Sequence, residues 1–308
     1  MNRIYPVLNL CVLVCGCAAP LVLDDDNAAV VVPLEIGSEG RIIVEAMINN
    51  LGPFRFALDT GASISVVLDT TRERAGLELA EGKRVVIHGI VSSGAFPLTT
   101  IAELKIGDDS WTSTRVASMP ADSETFDGID GILGIDFLRR YAIGVSPRDQ
   151  VVRLYPSQIV SKRTYLGWTS IPMQLLQIGE GDATIYTIKL HINEFAIPAM
   201  LDLGAGSSNL MNWHAARAIQ VRPSKPRRGT KLSGAVETVP VVAELEVERL
   251  RIGNISLSDT TFLISDFPIF EVLGLDDRPA AIIGPSLFNE RDFVIDFERQ
   301  RMMIGARR

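Results

Sequence analysis

The segment Phe54-Arg55-Phe56-Ala57-Leu58-Asp59-Thr60-Gly61-Ala62-Ser63 is an apolar run that ends in an acid and then enters a turn with a glycine. A second copy, Ile197-Pro198-Ala199-Met200-Leu201-Asp202-Leu203-Gly204-Ala205-Gly206, places its acid 143 residues after the first. Short apolar runs that stop at turn residues are typical of β-strands. The two copies therefore predict one strand-to-turn unit that the chain uses twice, with an acid at each strand end.

Three further pairs of segments recur in the same order. Their offsets drift from 140 to 150 residues, as small loop insertions between two copies of one plan would cause. The pairs are Ser93-Gly94-Ala95 with Ser233-Gly234-Ala235, Leu104–Asp108 with Leu250–Asn254, and Ile132-Leu133-Gly134 with Ile282-Ile283-Gly284. We therefore predict two lobes, over residues 38–155 and 184–308, joined by a connector over residues 156–183.

The composition is that of a folded protein with an acidic surface. The 308 residues are 47% hydrophobic and 22% charged, which excludes a disordered chain. The formal net charge of −7 disfavours nucleic-acid binding, because phosphate backbones are repelled. Short runs of Val, Ile, Thr and Leu, broken by Gly, Asn and Pro, favour an all-β fold built from hairpins.

The cysteines and histidines do not indicate metal chemistry. All three cysteines lie among the first seventeen residues, so the rest of the chain has no thiol for a disulfide or a thiolate site. The three histidines lack the close spacing of zinc ligands; they are His88, His191 and His214. We expect neither a metal nor a cofactor.

The N-terminus has the pattern of an export signal. Arg3 precedes the apolar stretch Ile4–Val14, which is too short to cross a bilayer. The segment Val14-Cys15-Gly16-Cys17 that follows resembles a bacterial lipobox, in which Cys17 would be lipidated, and Ala18 after it favours the outer membrane. We expect a signal segment over residues 1–17, a tether over residues 18–37, and a periplasmic or outer-membrane-anchored protein that contacts the membrane through this anchor alone. A plain signal peptide with incidental cysteines is the alternative.

An apolar strand that ends in Asp-Thr-Gly-Ala, with Ile132-Leu133-Gly134 downstream and an echo in the second half, resembles the aspartic peptidases, specifically their retropepsin-like branch. The resemblance covers nearly all of the chain after the tether, once per lobe. It implies two pseudo-symmetric β-barrel lobes with a cleft between them, in a monomer that binds a peptide or protein substrate. It also implies an endopeptidase whose catalytic residues are Asp59 and Asp202.

Two carboxyl groups can together hydrolyse a peptide bond without a metal or a covalent intermediate. Acids that face each other at about 3 Å cannot both ionise, so they share one proton. The ionised acid can take a proton from a water that attacks the amide carbon, while the protonated acid hydrogen-bonds the carbonyl oxygen. Gly61 and Gly204 lack side chains, so the backbone can approach the carboxyl groups closely.

The resemblance implies further roles around the two acids. Thr60 would bind the backbone of the opposite loop through its hydroxyl, and Ala62 would complete the first loop. Gly134 and Gly284 would lie beneath the acid loops as structural support. The hairpins near Gly94 and Gly234 would form flaps over an extended substrate, which binds as an added strand.

The second lobe departs from this pattern at Leu203. A Ser or Thr is expected there, so one of the two hydroxyl bonds across the symmetry axis cannot form. Ala62 and Ala205 also stand where pepsin-like enzymes carry a hydroxyl that bonds the carboxylate. Fewer hydrogen bonds to the charged form raise its pKa, which predicts an activity optimum nearer to neutral pH than that of pepsin.

Three other interpretations are open at this point. The chain could be an exported binding lipoprotein that keeps the two lobes but is catalytically weak or inactive because of Leu203. The segment Met200–Gly206 also resembles the first motif of S-adenosylmethionine-dependent methyltransferases, although Ser208 replaces an expected glycine and the alternating strand–helix pattern is missing. Each acid, taken alone, could simply cap a β-turn.

Overall fold

The structure is a computed structural model that describes residues 23, 25–88, 93–120, 126, 128–156, 167–177, 184–220, 222–225, 231–233, 238–240 and 243–307. The first half contains strands β1 (Val30–Pro33), β2 (Glu35–Ile36), β3 (Ile42–Ile48), β4 (Leu51–Leu58), β5 (Val66–Leu68), β6 (Leu79–His88), β7 (Ser93–Ile106), β8 (Asp109–Met119), β9 (Gly131–Leu133), β10 (Tyr141–Ser146) and β11 (Val151–Pro156). Its helices are α1 (Asp69–Arg74) and α2 (Ile135–Leu138).

The second half repeats this mixture of many strands and few helical turns. Its strands are β12 (Thr169–Pro172), β13 (Gln174–Gln177), β14 (Thr184–Ile192), β15 (Phe195–Leu201), β16 (Leu210–Met211), β17 (Lys231–Ser233), β18 (Thr238–Pro240), β19 (Ala243–Ile252), β20 (Ile255–Ile264), β21 (Ala281–Ile283), β22 (Arg291–Asp296) and β23 (Arg301–Arg307). Its helices are α3 (Trp213–Ala218) and α4 (Pro268–Val272), with 3₁₀ turns at Leu203–Ala205 and Pro285–Phe288.

Each half closes into a six-stranded barrel. The order in the first barrel is β3-β4-β9-β5-β8-β7, and β7 pairs back with β3. The order in the second barrel is β14-β15-β21-β16-β20-β19, and β19 pairs back with β14. The two barrels use their strands in the same order, so the predicted all-β fold with two pseudo-symmetric lobes is confirmed.

A six-stranded sheet joins the lobes, in the order β1-β11-β10-β22-β23-β12. Its centre is the antiparallel pair β10–β22, in which Gly144 lies opposite Val294. Both strands are almost entirely buried. The lobes therefore share one continuous sheet beneath them.

The strands that carry the two acids are buried on both faces at the ends that lead into the acids. In β4, Phe56 and Leu58 face a large apolar cluster that includes residues of both lobes, while Ala57 faces a second cluster within the first barrel. In β15, Leu201 faces the shared cluster and Met200 faces a cluster within the second barrel. Full burial of a large apolar side chain contributes roughly 1.5–3 kcal/mol. Apolar packing thus fixes both strand ends from two sides.

The two segments that were expected to lie outside the lobes contain strands. Within the expected tether, Val30–Pro33 is a strand whose buried Val30 and Val32 alternate with exposed residues as it pairs with β11. Within the expected connector, Thr169–Pro172 pairs with β23, and Ile171 is 3% exposed. Both segments therefore contribute strands to the joining sheet, because their alternate side chains are apolar. The signal segment and Cys17 lie outside the described residues.

The methyltransferase interpretation is wrong. Such a fold needs an acid-bearing strand in a parallel sheet with crossover helices. Here β15 is antiparallel to β14 in a closed barrel, and a 3₁₀ turn of three residues follows it. Among the described residues, the helices are all too short to span a bilayer.

Candidate active site

Asp59 and Asp202 stand at equivalent points of the two barrels. Asp59 directly follows β4, and its N–H donates to the carbonyl oxygen of Leu133 at 3.0 Å. Asp202 directly follows β15, and its N–H donates to the carbonyl oxygen of Ile283 at 2.9 Å. Both strands run parallel to their partners at this point, β9 and β21. The backbone of each acid is thus anchored at the end of a buried parallel pair.

The two carboxyl groups face each other between the lobes, close enough for each to shift the pKa of the other. A Cβ atom placed on Gly61 would lie 2.8 Å from Cγ of Asp202, and one placed on Gly204 would lie still closer to Cγ of Asp59. Each loop therefore needs its glycine to make room for the acid of the opposite lobe.

Backbone N–H groups hold each carboxylate within its own loop. The N–H groups of Gly61 and Ala62 both donate to Oδ1 of Asp59 at 2.8 Å. The N–H of Gly204 donates to Oδ1 of Asp202 at 2.8 Å. Such donors stabilise the charged form of a carboxylate and lower its pKa.

Burial raises the pKa of both acids. The pKa of Asp59 is raised by burial, although the Ala62 N–H, the hydrogen bond to Asp202, the Gly61 N–H and the charge of Arg41 each lower it in part. The pKa of Asp202 is raised well above its usual value by burial and then by the charge of Asp59. Asp202 is 5% exposed, whereas Asp59 keeps a partly exposed side. A negative charge on one carboxyl group thus disfavours ionisation of the other, so the two groups titrate as a coupled pair.

Thr60 binds the opposite loop through its buried hydroxyl. This hydroxyl donates to the carbonyl oxygen of Leu201 at 2.6 Å and accepts from the N–H of Leu203 at 3.0 Å. Both bonds cross from the first lobe to the second, on either side of Asp202. Thr60 is 3% exposed, so water does not compete for these bonds.

Leu203 occupies the equivalent place in the second lobe without a hydroxyl. Its side chain is fully buried in the cluster shared by the two lobes, with Leu58 and Leu133 among the other members. Apolar packing thus stands where a reciprocal pair of hydrogen bonds would have formed.

Gly134 and Gly284 lie directly beneath the two acid loops. A Cβ atom on Gly134 would lie 2.8 Å from the carbonyl oxygen of Ala62, and one on Gly284 would overlap the carbonyl oxygen of Gly206. Backbone packs against backbone at both positions, so a side chain has no room at either.

Side chains that the sequence analysis did not identify support these loops. The hydroxyl of Ser65 accepts from the N–H of Gly134 at 3.0 Å and donates to Asp136 at 2.8 Å. In the second lobe, Oδ1 of Asn209 accepts from the N–H of Gly284 at 3.2 Å. A polar residue six or seven positions after each acid, directly before the next apolar segment, was the available signal. Arg41 was also missed, since it becomes part of the site only where the two lobes meet.

The hairpins that would cover the cleft are described in part. In the first lobe, β6 and β7 form a hairpin whose turn, at residues 89–92, lies outside the described residues. The sequence pattern predicted Gly94 at the tip of this hairpin. It lies instead inside β7, opposite Ile87, where its lack of a side chain leaves space for the ring of Phe96. In the second lobe, β17 pairs with β18, and Gly234 lies outside the described residues.

Two closed barrels that each present an acid loop to a common axis define the aspartic-protease class of fold. Comparison with family models gives the same result for each lobe. Residues 44–140 match the family described as gag-polyprotein putative aspartyl protease, and residues 188–287 match the family described as aspartyl protease. A search of curated proteins found no match. The chain belongs to the retropepsin-like aspartic peptidases, and the matches support aspartic protease activity in general.

Proposed function

We propose that this protein is an aspartic endopeptidase in which Asp59 and Asp202 activate a water molecule and share one proton. The observation that carries this proposal is the contact between two carboxyl groups from different lobes, each bound by N–H groups of its own loop. Burying two acids against each other costs free energy, and ionisable groups that are buried in this way are concentrated at catalytic sites.

We base the proposed roles of the two acids on their different surroundings. Asp59 begins ionised and takes a proton from a water, whose oxygen then forms a bond to the amide carbon. Asp202 begins protonated and gives its proton to the carbonyl oxygen, so the intermediate is a neutral diol. In the second step Asp59 gives its proton to the amide nitrogen, the C–N bond breaks, and a diol hydroxyl returns a proton to Asp202. The pair ends as it began, with one carboxylic acid and one amine as products.

The substrate would bind as an extended strand between the acid loops and the hairpins. In the first lobe, partly buried apolar side chains would flank this path. Those that pack against the apolar cluster within the first barrel include Ile64, Val85, Ile87 and Phe96. We expect peptides with apolar side chains next to the cleaved bond to be preferred.

The test is cleavage of a mixed peptide library by the wild type, Asp59→Asn and Asp202→Asn, with and without a statine-type inhibitor. Either substitution should lower kcat/KM by roughly 10²- to 10⁴-fold, since each removes one proton-transfer partner. Cleavage by all three proteins at equal rates would rule out the dyad. Thermal unfolding of each variant provides the control for folding.

A second candidate function is a peptide-binding protein with little or no turnover. Leu203 favours it, because the second lobe lacks the hydroxyl that would bind the first loop in return. This candidate predicts that the wild type binds the statine-type inhibitor but cleaves no peptide between about pH 3 and pH 8. That range extends from roughly one unit below the ordinary pKa of Asp to roughly one unit above that of His. Cleavage at any pH in that range would exclude it.

We also propose that the protein is exported and carries a lipid on Cys17, as its N-terminal pattern indicates. Leu23, six residues after Cys17, is 3% exposed and packs against Tyr155 and Met303. Six residues can span at most about 20 Å, so a lipid on Cys17 would keep the protein close to the membrane surface. The test is the membrane fraction of wild type and Cys17→Ser, with Cys11→Ser as the matched control. Equal distribution of all three between membrane and soluble fractions would overturn this proposal.

A further inference from the structure

A turn of the first lobe, formed by residues 37–41, contacts the second active-site loop. The N–H of Gly37 donates to the carbonyl oxygen of Arg41 at 2.9 Å and closes the turn. The carbonyl oxygen of Glu39 accepts from the N–H of Ser207 at 2.8 Å and from its hydroxyl at 3.2 Å. Nε of Arg41 donates to the carbonyl oxygen of Gly204 at 3.0 Å. The turn thus binds Gly204 and Ser207, which lie further along the chain than the two residues bound by Thr60.

Two glycines allow this contact. Gly40 has φ of +79°, and a Cβ atom there would lie 2.9 Å from the backbone nitrogen of Ser207. Gly206 has φ of +57°, and a Cβ atom there would overlap the carbonyl oxygen of Glu39. A side chain at either position would both strain the backbone and separate the two surfaces. The close approach is therefore built into both lobes.

The second lobe has no equivalent of Arg41. Val44 lies opposite Phe56, and Ile188 lies opposite Ala199; each partner stands three residues before the acid of its lobe. Three residues before Val44 the chain has Arg41, and three residues before Ile188 it has Ile185. Ile185 is 3% exposed and packs inside the second barrel. Only one side of the dyad therefore receives a cation from this position.

The charge of Arg41 acts mainly on Asp59. Gly204, the peptide that Arg41 binds, lies against the carboxyl group of Asp59, and the Arg41 charge lowers the pKa of that group. Asp202 faces Asp59 from the other lobe, and Asp136 is bound by Ser65, which also binds Gly134 beneath the first loop. Glu39, on the turn itself, has an exposed side chain. Arg41 is thus the cation among the described neighbours of two carboxyl groups that compete for one proton.

We propose that Arg41 is a positioning residue that holds the second active-site loop in place and keeps the negative charge of the pair on Asp59 and the proton on Asp202. This proposal rests on the proposed peptidase function. It explains how a lobe without its own bridging hydroxyl keeps a defined loop. It also gives a reason why the two acids are not interchangeable although they occupy equivalent positions.

The test compares wild type, Arg41→Gln and Arg41→Lys. The pH dependence of kcat/KM on one cleaved peptide gives the acid and basic limbs, and ¹³C-labelled aspartate carboxyl shifts give the titration of the pair without any turnover. Arg55→Gln is the matched control, because Arg55 is in the same lobe and its guanidinium also binds a backbone carbonyl oxygen, that of Gly128.

In Arg41→Gln the acid limb and the first carboxyl titration should both move to higher pH by roughly half to one unit, because Asp59 loses its cation. Arg41→Lys should restore the acid limb but keep a lowered kcat/KM, since an ammonium group does not reproduce the Nε bond. A uniform loss of rate at every pH, with both limbs and the carboxyl titration unmoved, would overturn the proposal. If the wild type cleaves no peptide, the peptidase function fails, while the carboxyl titration still decides the role of Arg41.

Discussion

The loop after Asp59 and the loop after Asp202 occupy equivalent places but are held by different means. The first loop has two N–H donors on its acid and a threonine that reaches across the axis. The second loop has Leu203 at the threonine position, buried in the shared apolar cluster. Thr60 and Arg41, both from the first lobe, bind its backbone at three points. Side chains of the first lobe thus hold the active-site loop of the second lobe, so the two lobes contribute unequally to the site.

This difference shows what the dyad requires of each lobe. Both lobes keep the acid, the glycine and the buried parallel strand pair, because these place the carboxyl groups. The hydrogen bonds that bridge the two loops, by contrast, can all be made by side chains of one lobe. The following substitutions test how unequal the two loops are.

The largest effect is expected at the two glycines that face the opposite acid. Gly204→Ala should lower kcat/KM by about 100-fold or more, because the new methyl group would displace Asp59, and small shifts of catalytic groups cost that much. Gly61→Ala should also lower it, but less, since its Cβ would lie farther from Asp202. Steady-state kinetics measure both. Gly76→Ala is the control, because φ there is also positive but no atom lies within 4 Å of its Cβ. Wild-type activity in Gly204→Ala would contradict this view of the site.

A smaller effect is expected at the residues that follow the acids. Thr60→Val should lower the free energy of unfolding by about 2–4 kcal/mol, because it leaves the buried carbonyl of Leu201 and the N–H of Leu203 without partners. Leu203→Thr should cost about 1–2 kcal/mol, since lost apolar packing outweighs one new hydrogen bond. Urea denaturation measures both, with Thr60→Ser as the variant that keeps the hydroxyl. Equal losses at the two positions would show that the loops are held alike.

The smallest effect concerns stability against pH. The pKa of Asp202 in the folded protein lies well above its unfolded value, so its contribution is present below the unfolded pKa and is lost as pH rises through the folded one. Asp202→Asn removes this loss, and its melting temperature should exceed that of wild type at pH 8 by roughly 2–4 °C, or about 1 kcal/mol, but not at pH 4. Asp59→Asn should show a smaller gain, because N–H donors and Arg41 partly offset its burial. Asp277→Asn, on the surface, controls for loss of charge. A gain that does not depend on pH would exclude this explanation.

The features that could be predicted from sequence rest on local patterns. Two lobes could be predicted because strand alternation and turn chemistry act over a few residues. The patterns used were the apolar runs before Asp59 and Asp202, the glycines after them and the repeat of Ile132-Leu133-Gly134. The missing hydroxyl at Leu203 was visible for the same reason.

The features that could not be predicted depend on contacts between distant parts of the chain. Arg41 precedes its strand as an ordinary charged residue, and only the docking of the two lobes brings it to Gly204. Val30–Pro33 is four residues long and becomes a strand because it pairs with β11, far along the chain. Its alternation is too short to distinguish a strand from a polar linker.

The joining of both lobes in one polypeptide has a consequence for how such a site can diverge. In a symmetric dimer encoded by one gene, every substitution occurs twice, and a leucine after the acid would remove the bridging hydroxyl from both subunits at once. Here the leucine occurs once, and the intact threonine opposite it preserves the bridge. Two lobes in one polypeptide can thus differ at a position where two identical subunits cannot, and each active-site loop can change without the other.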